Sequence, residues 1–265
     1  MSLYLYPVAF TIFVWWFSTG AILYLDGLPR RTFPWTMLAA TGVLALAMYG
    51  LYSTASDTRV IAAYVAFGCA IMVWAWQEIA FLLGYVTGPM RSHCPAQARG
   101  WKRAGWALLA VLHHELALVA LALAVAILTW GGENQTGWWT FLVLWVMRQS
   151  AKLNIFLGAR NLSESFLPAH LKYLQSYFRR RTMNALFPFS VVGSGLVAVL
   201  TWQAAVADGV TAFDAVALTF AATLLTLALV EHIFMMLPLP SEKLWSWGMR
   251  SRGASPVEVR DSSPL

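Results

Sequence analysis

Seven predominantly apolar stretches, each about twenty residues or longer, limit what this chain can fold into. A helix rises about 1.5 Å per residue, so roughly 20 apolar residues cross a hydrocarbon core about 30 Å thick. The stretches are Tyr4–Leu25, Trp35–Thr54, Val60–Gly84, Ala104–Trp130, Trp138–Arg160, Ala185–Ala205 and Ala212–Met236. Turn and breaker residues separate them, among them Asp26-Gly27-Leu28-Pro29 and Gly131-Gly132-Glu133-Asn134. The expected fold is all-α: a polytopic membrane protein with seven transmembrane helices, forming one domain over residues 1–247. Only 11% of residues are charged, against about 25% in soluble domains, which agrees. The first stretch is too long for a secretory h-region and lacks a basic leader, so it reads as a retained span.

Charge sets the expected orientation. The loops after stretches one, three and five, with the tail after seven, hold 15 of the 18 Lys and Arg. The opposite loops hold Arg59, and the remaining two, Arg148 and Lys152, lie inside a stretch. By the positive-inside rule the basic side is cytoplasmic, with the N-terminus periplasmic and the C-terminus cytoplasmic. The net charge of +6 is thereby explained without nucleic acid. Cys69 and Cys94 form no ligand pattern and read as reduced, structural thiols.

One cytoplasmic loop has structure of its own. In the segment at about 162–182, Leu167, Leu171, Leu174 and Phe178 recur at helical spacing, beside Lys172 and Arg179-Arg180-Arg181. An amphipathic helix lying on an anionic leaflet has this pattern, and so has a surface for a partner protein. The polar end of the chain, 248–265, reads as a disordered cytoplasmic tail.

Ionisable residues inside apolar stretches are the candidates for function. Glu78, His113, His114, Glu115, Arg148, Lys152, Glu231 and His232 each lie within one. A charged side chain at a helix centre costs roughly 2.5–3.5 kcal/mol on insertion scales, so their presence needs a reason. Counted from the basic ends of their stretches, all fall in the cytoplasmic half at overlapping depths. His113 and His114 share their helix faces with alanines (Ala117, Ala120 and Ala124; Ala107, Ala110 and Ala117), which places both toward the bundle. Arg148 and Lys152 are i,i+4 neighbours and demand anionic partners, with Ser150, Asn154 and Gly158 on another face.

Three readings of this cluster stand open. In the first, Glu78, Glu115 and Glu231 neutralise Arg148 and Lys152 in a charge network that includes Asn154 and fixes helix register. In the second, Glu78, His114, Glu115, Glu231 and His232 hold a metal ion, although the Glu-x-x-His spacing of carboxylate-bridged bundles is absent. In the third, His113, His114 or His232 is the axial ligand of a tetrapyrrole. Glycine-rich nucleotide loops, nucleophile elbows and metal-binding cysteine pairs are not found.

Several strings carry a family resemblance. They are Trp15-Trp16-Phe17-Ser18-Thr19-Gly20, Trp76-Gln77-Glu78, Gly88-Pro89 and His114-Glu115-Leu116-Ala117. The longest run, Phe141 to Asn161, includes Ser150-Ala151-Lys152-Leu153-Asn154 and Phe156-Leu157-Gly158-Ala159-Arg160-Asn161. Phe166-Leu167-Pro168, Asn184-Ala185-Leu186-Phe187-Pro188 and Glu231-His232 follow. In this order they resemble the PuhE family, photosynthetic complex assembly proteins of anoxygenic phototrophic bacteria, over nearly the whole chain to about Trp247. The resemblance implies a bacterial inner-membrane protein encoded among photosynthesis genes, linked to reaction-centre assembly and bacteriochlorophyll production. It carries over no catalytic residue.

The resulting expectation is a non-catalytic assembly or regulatory factor for photosynthetic complexes. Its partners are the bilayer and complex subunits or assembly factors, met through Lys172 and Arg179–Arg181. Bacteriochlorophyll, haem or a metal ion are the candidate cofactors. The alternative is an intramembrane His/Glu metalloenzyme acting on a tetrapyrrole, quinone or lipid.

Overall fold

Apolar windows become helices because hydrocarbon offers backbone N–H and C=O groups no partner other than one another. The computed structural model of the chain describes residues 2–237 and 239–253. Its long helices are α1 (Ser2–Asp26), α2 (Phe33–Thr54), α3 (Val60–Leu82), α4 (Gly100–Leu128), α5 (Thr136–Leu157), α6 (Phe187–Ala205) and α7 (Ala212–Met236). Short 3₁₀ segments occupy Arg30–Thr32, Glu164–Phe166, Ala169–Tyr177, Ser241–Trp245 and Gly248–Gly253. Among the described residues there is no strand, only an isolated bridge between Ala159 and Arg180.

Six of the helices are long and apolar enough to cross a membrane, and α5 is the exception. It is 22 residues long, but Arg148, Gln149, Lys152 and Asn154 lower the hydropathy of its second half. The count of spans legible from length and composition is therefore six, one fewer than expected.

Local chemistry sets the helix starts. Proline stands in the first turn of α2 and of α6, where a missing N–H costs nothing. The Thr211 hydroxyl oxygen accepts from the Asp214 N–H at 3.1 Å and caps α7. Helix α4 starts at Gly100, four residues before its apolar window. The early turn carries Arg103 to the end of α5, where its guanidinium donates to the carbonyls of Phe156 (3.2 Å) and Tyr177 and lies 4.1 Å from the Phe156 ring centroid. A cation at the C-terminal carbonyls of a helix is favourable. Two glycines are required by the backbone. Gly158 ends α5 at φ 133°, outside the range of ordinary L residues. Gly88 lies so close to α4 that a Cβ would overlap the carbonyl groups of Leu109 and Ala110.

The helix ends divide into two faces. At one, the loops around 55–59, 129–135 and 206–211 are short. At the other, the longer loops 83–99 and 158–186 and the segment after α7 gather most of the basic residues. Large exposed tryptophans mark both: Trp35 and Trp101 at the basic end, Trp130 and Trp139 at the opposite end, as aromatic belts would. Between them, Phe67 stacks on Phe220 at 4.3 Å, and Tyr64 meets Phe220 edge-on at 4.9 Å.

The loop expected to be an amphipathic helix facing lipid or a partner protein contains the 3₁₀ segment Ala169–Tyr177. At three residues per turn, Leu171, Leu174 and Tyr177 eclipse one another. They are buried against Phe81 and Leu82 of α3 and Ala110 of α4. The apolar face thus packs on the chain's own helices, which corrects the expectation that it faces lipid or a partner, while Lys172, Arg180 and Arg181 are exposed and Arg179 is half-buried. The start of the expected tail is also placed otherwise. Gly248–Gly253 folds onto α1, with Arg252 paired to Asp26 at 2.8 Å and donating to Phe166 O at 2.9 Å. Residues 254–265 lie outside the described residues.

Candidate functional site

Helix α5 is the polar axis of the bundle, and each polar side chain in its second half has a partner on another helix. Arg148 pairs with Glu78 of α3 at 3.2 Å, and the Gln77 amide donates to the same carboxylate at 3.1 Å. Lys152 pairs with Glu115 of α4 at 2.7 Å, and Gln149 donates to its other oxygen at 2.6 Å. The two pairs differ in burial. The Arg148 side chain is 45% exposed, whereas Lys152 and Glu115 are 28% and 20% exposed.

A second, uncharged network lies on another face of α5. Ser150 Oγ is 2.8 Å from His232 Nε2 of α7 and 3.1 Å from Ser190 Oγ of α6. Asn154 Nδ2 donates to Ser190 Oγ at 3.0 Å and to the Ser150 carbonyl at 2.9 Å. Asn184 donates to Asn154 Oδ1 and to the Gly158 carbonyl, and its own oxygen accepts from the N–H groups of Leu186 and Phe187 at the start of α6. The backbone N–H groups of Arg160 and Asn161 donate to Met235 O at 3.1 and 2.8 Å, which holds the exit of α5 against the end of α7.

The remaining candidates part company. Adjacent residues on a helix point about 100° apart, and both His-Glu neighbours are divided that way. His232 is buried, while Glu231 sits on the outer side of α7 and accepts from the Trp15 indole of α1 at 2.8 Å. His114 is buried, its ring 4.4 Å from that of Phe81, with no hydrogen-bond partner for either ring nitrogen among the described residues. Its backbone N–H donates to Thr87 O at 2.9 Å, where the Gly88 loop enters α4. His113 is exposed on the outer surface of α4, which corrects its expected place in the bundle. Of its alanine stripe, Ala120 is exposed as well, whereas Ala117 and Ala124 are half-buried.

Glu78, His114, Glu115, Glu231 and His232 therefore do not converge. Among the described residues no group of three or more His, Cys, Asp or Glu is placed to hold a metal ion. Both nitrogens of His232 are engaged, by Ser150 and by the Ala228 carbonyl at 2.8 Å. These donors do not fit a metal centre. Sequence reasoning missed Trp15, Gln149, Ser190 and Asn184 as partners. The Ser150/Asn154/Gly158 stripe and the asparagine just before α6 were the signals that could have found Ser190 and Asn184.

On the loop side, Arg180 pairs with Glu164 at 2.7 Å, and the Arg181 side chain covers Gly158. His170 Nε2 donates to Leu82 O at 2.8 Å; a carbonyl only accepts, so Nε2 carries a proton. Burial pushes His170 below the ordinary histidine range, and this hydrogen bond opposes the shift.

A family model described as a protein of unknown function, DUF3623, matches residues 1–255. A Rhodobacter capsulatus protein described as an uncharacterized 30.4 kDa protein in the puhA 5′ region is 42% identical over 255 residues. The match covers 91% of this chain and 89% of that one. No solved structure matches the chain.

Proposed function

The chain belongs to the DUF3623 family of proteins of unknown function, and from that premise we propose a role in assembling or regulating photosynthetic complexes. The protein is a multi-pass factor of the bacterial inner membrane, acting on reaction-centre and light-harvesting complexes and linked to bacteriochlorophyll supply. One observation carries the reading: a 42% identical relative is described from the puhA 5′ region. The resemblance of the sequence strings to the PuhE family supports it. The ion pairs that engage Glu78 and Glu115 support a scaffold over a metalloenzyme, because they leave these carboxylates committed to cations.

Seven spans complete the topology, with α5 crossing inside the bundle where its charges meet partners on α3 and α4. The N-terminus is periplasmic, and the basic end is cytoplasmic. Lys172, Arg180 and Arg181 present positive charge there to lipid headgroups and partner subunits. Of the three histidines, His113 alone is exposed on the outer surface, so contact with a pigment falls to it.

Deleting the gene in a phototrophic host should lower the near-infrared absorption of reaction-centre and light-harvesting complexes, and the intact gene should restore it. Unchanged absorption in the deletion strain would reject the role. Pigment content of gently solubilised protein tests the histidine: stoichiometric bacteriochlorophyll lost on His113→Ala supports the assignment.

A further inference from the structure

Hydroxyls inside transmembrane helices ordinarily donate to the carbonyl one turn earlier, which satisfies them without a partner. Thr11, Thr19, Thr41, Thr54, Thr219 and Thr223 all do so here. Ser150 does not. Its oxygen points across to His232 Nε2 at 2.8 Å. His232 Nδ1 lies 2.8 Å from the Ala228 carbonyl, which can only accept. In the neutral ring Nδ1 therefore carries the proton, and Nε2 turns its lone pair to Ser150. The Ser150 proton goes to Nε2, so the 3.1 Å contact with Ser190 is made by the Ser190 proton, and Asn154 holds Ser190 from behind.

We propose that Ser150 and His232 form a serine–histidine dyad that cleaves esters of membrane lipids or other lipid-soluble alcohols. This goes beyond the assembly role and stands on different residues. A nucleophile needs a base within hydrogen-bond reach and a third group that orients the base. Here the base is His232 and the orienting group is a backbone carbonyl. Ser150 is half-buried while His232 is buried, so the nucleophile is the member an incoming substrate meets.

Depth identifies the substrate class. Ser150 lies seven residues from the end of α5, Ser190 three from the start of α6 and His232 four from the end of α7. At helical rise these are about 10, 5 and 6 Å from one face of the bundle. That is the boundary where the ester carbonyls of lipids and interfacial water are found together, and where a free polar substrate has no reason to be.

The chemistry closes on these groups. Ser150 Oγ bonds to the ester carbonyl carbon as its proton passes to His232 Nε2. The carbon–alkoxide bond then breaks, and the alcohol leaves with that proton. Water adds to the acyl-serine through the same base, releasing the carboxylic acid and restoring Ser150. The Ser190 hydroxyl, beside Ser150 Oγ, is a positioning group.

A long-chain alkyl fluorophosphonate, applied to the full-length protein in native membranes, tests the dyad. Mass spectrometry should find the phosphonyl adduct on Ser150, and Ser150→Ala should abolish it while keeping membrane abundance and unfolding temperature. His232→Gln should slow labelling by about 100-fold or more, the usual worth of a general base. Ser190→Ala should slow it less at an unchanged unfolding temperature. Hydrolysis of a p-nitrophenyl octanoate ester should follow the same order. Folded wild-type protein that takes no label, or a label unaffected by Ser150→Ala, overturns the proposal. If His232→Gln does not accumulate, the wild type and Ser150→Ala decide it alone.

Discussion

The aromatic core around Phe67 and Phe220 and the polar network around α5 hold overlapping sets of helices together by different means. In the first, rings on α1, α3 and α7 interlock, with Phe10, Tyr64 and Phe67 all within reach of Phe220. In the second, partners are fixed by charge and hydrogen bonds. Lipid tails are as apolar as leucine, so burial alone does not choose one helix neighbour over another in a membrane. Shape makes the choice in the aromatic core, and pairing makes it along α5.

The largest test is Phe220→Ala. Emptying a site filled by stacked rings should cost about 3–5 kcal/mol, read as a lower unfolding temperature in detergent. Lys152→Ala comes next, at about 2–3 kcal/mol, between a surface pair and a fully buried one. Replacing Glu115 with Leu in the same chain should restore most of that loss, because no carboxylate is then left unpaired. If Phe220→Ala costs less than Lys152→Ala, the ranking of the two regions is reversed. Arg148→Ala should cost less again, about 1–2 kcal/mol, because the Gln77 amide still donates to the buried Glu78 carboxylate that it leaves behind.

The smallest effect belongs to His170, whose folded-state affinity for a proton is lowered by burial. The unfolded chain binds that proton more readily. The contribution is therefore complete above the ordinary value of about 6.5 and lost as pH falls below it. Unfolding temperatures at pH 7.5 and 5.5 should differ by less in His170→Gln than in the wild type. An equal difference would detach the Ala169–Tyr177 segment from the pH response.

What the sequence revealed follows from what hydropathy measures. The bounds of α7 are the same in sequence and structure, Ala212–Met236, because a threonine cap and a proline-rich exit frame an unbroken apolar run. Depth along the helices was equally legible, and it brought Glu78, Glu115, Arg148 and Lys152 to one level. Direction around the axis was not. Counting residues cannot tell that Glu231 turns to Trp15 while its neighbour His232 turns to Ser150. Nor does hydropathy register Arg103, which extends α4 into a charged loop to meet the carbonyls ending α5. The 3₁₀ segment was misplaced for a related reason: an apolar stripe records that a face is covered, without saying whether lipid or protein covers it.

The clasp between Arg252 and Asp26 joins residues 226 positions apart. At about 5–20 residues per second of synthesis, roughly 10–45 s separate the two on the ribosome. During that interval α1 waits in the bilayer without α7 and Gly248–Gly253, its later-made partners. Biogenesis of this protein thus passes through a stage with an unlatched first helix, a natural moment for an insertase or chaperone to hold it.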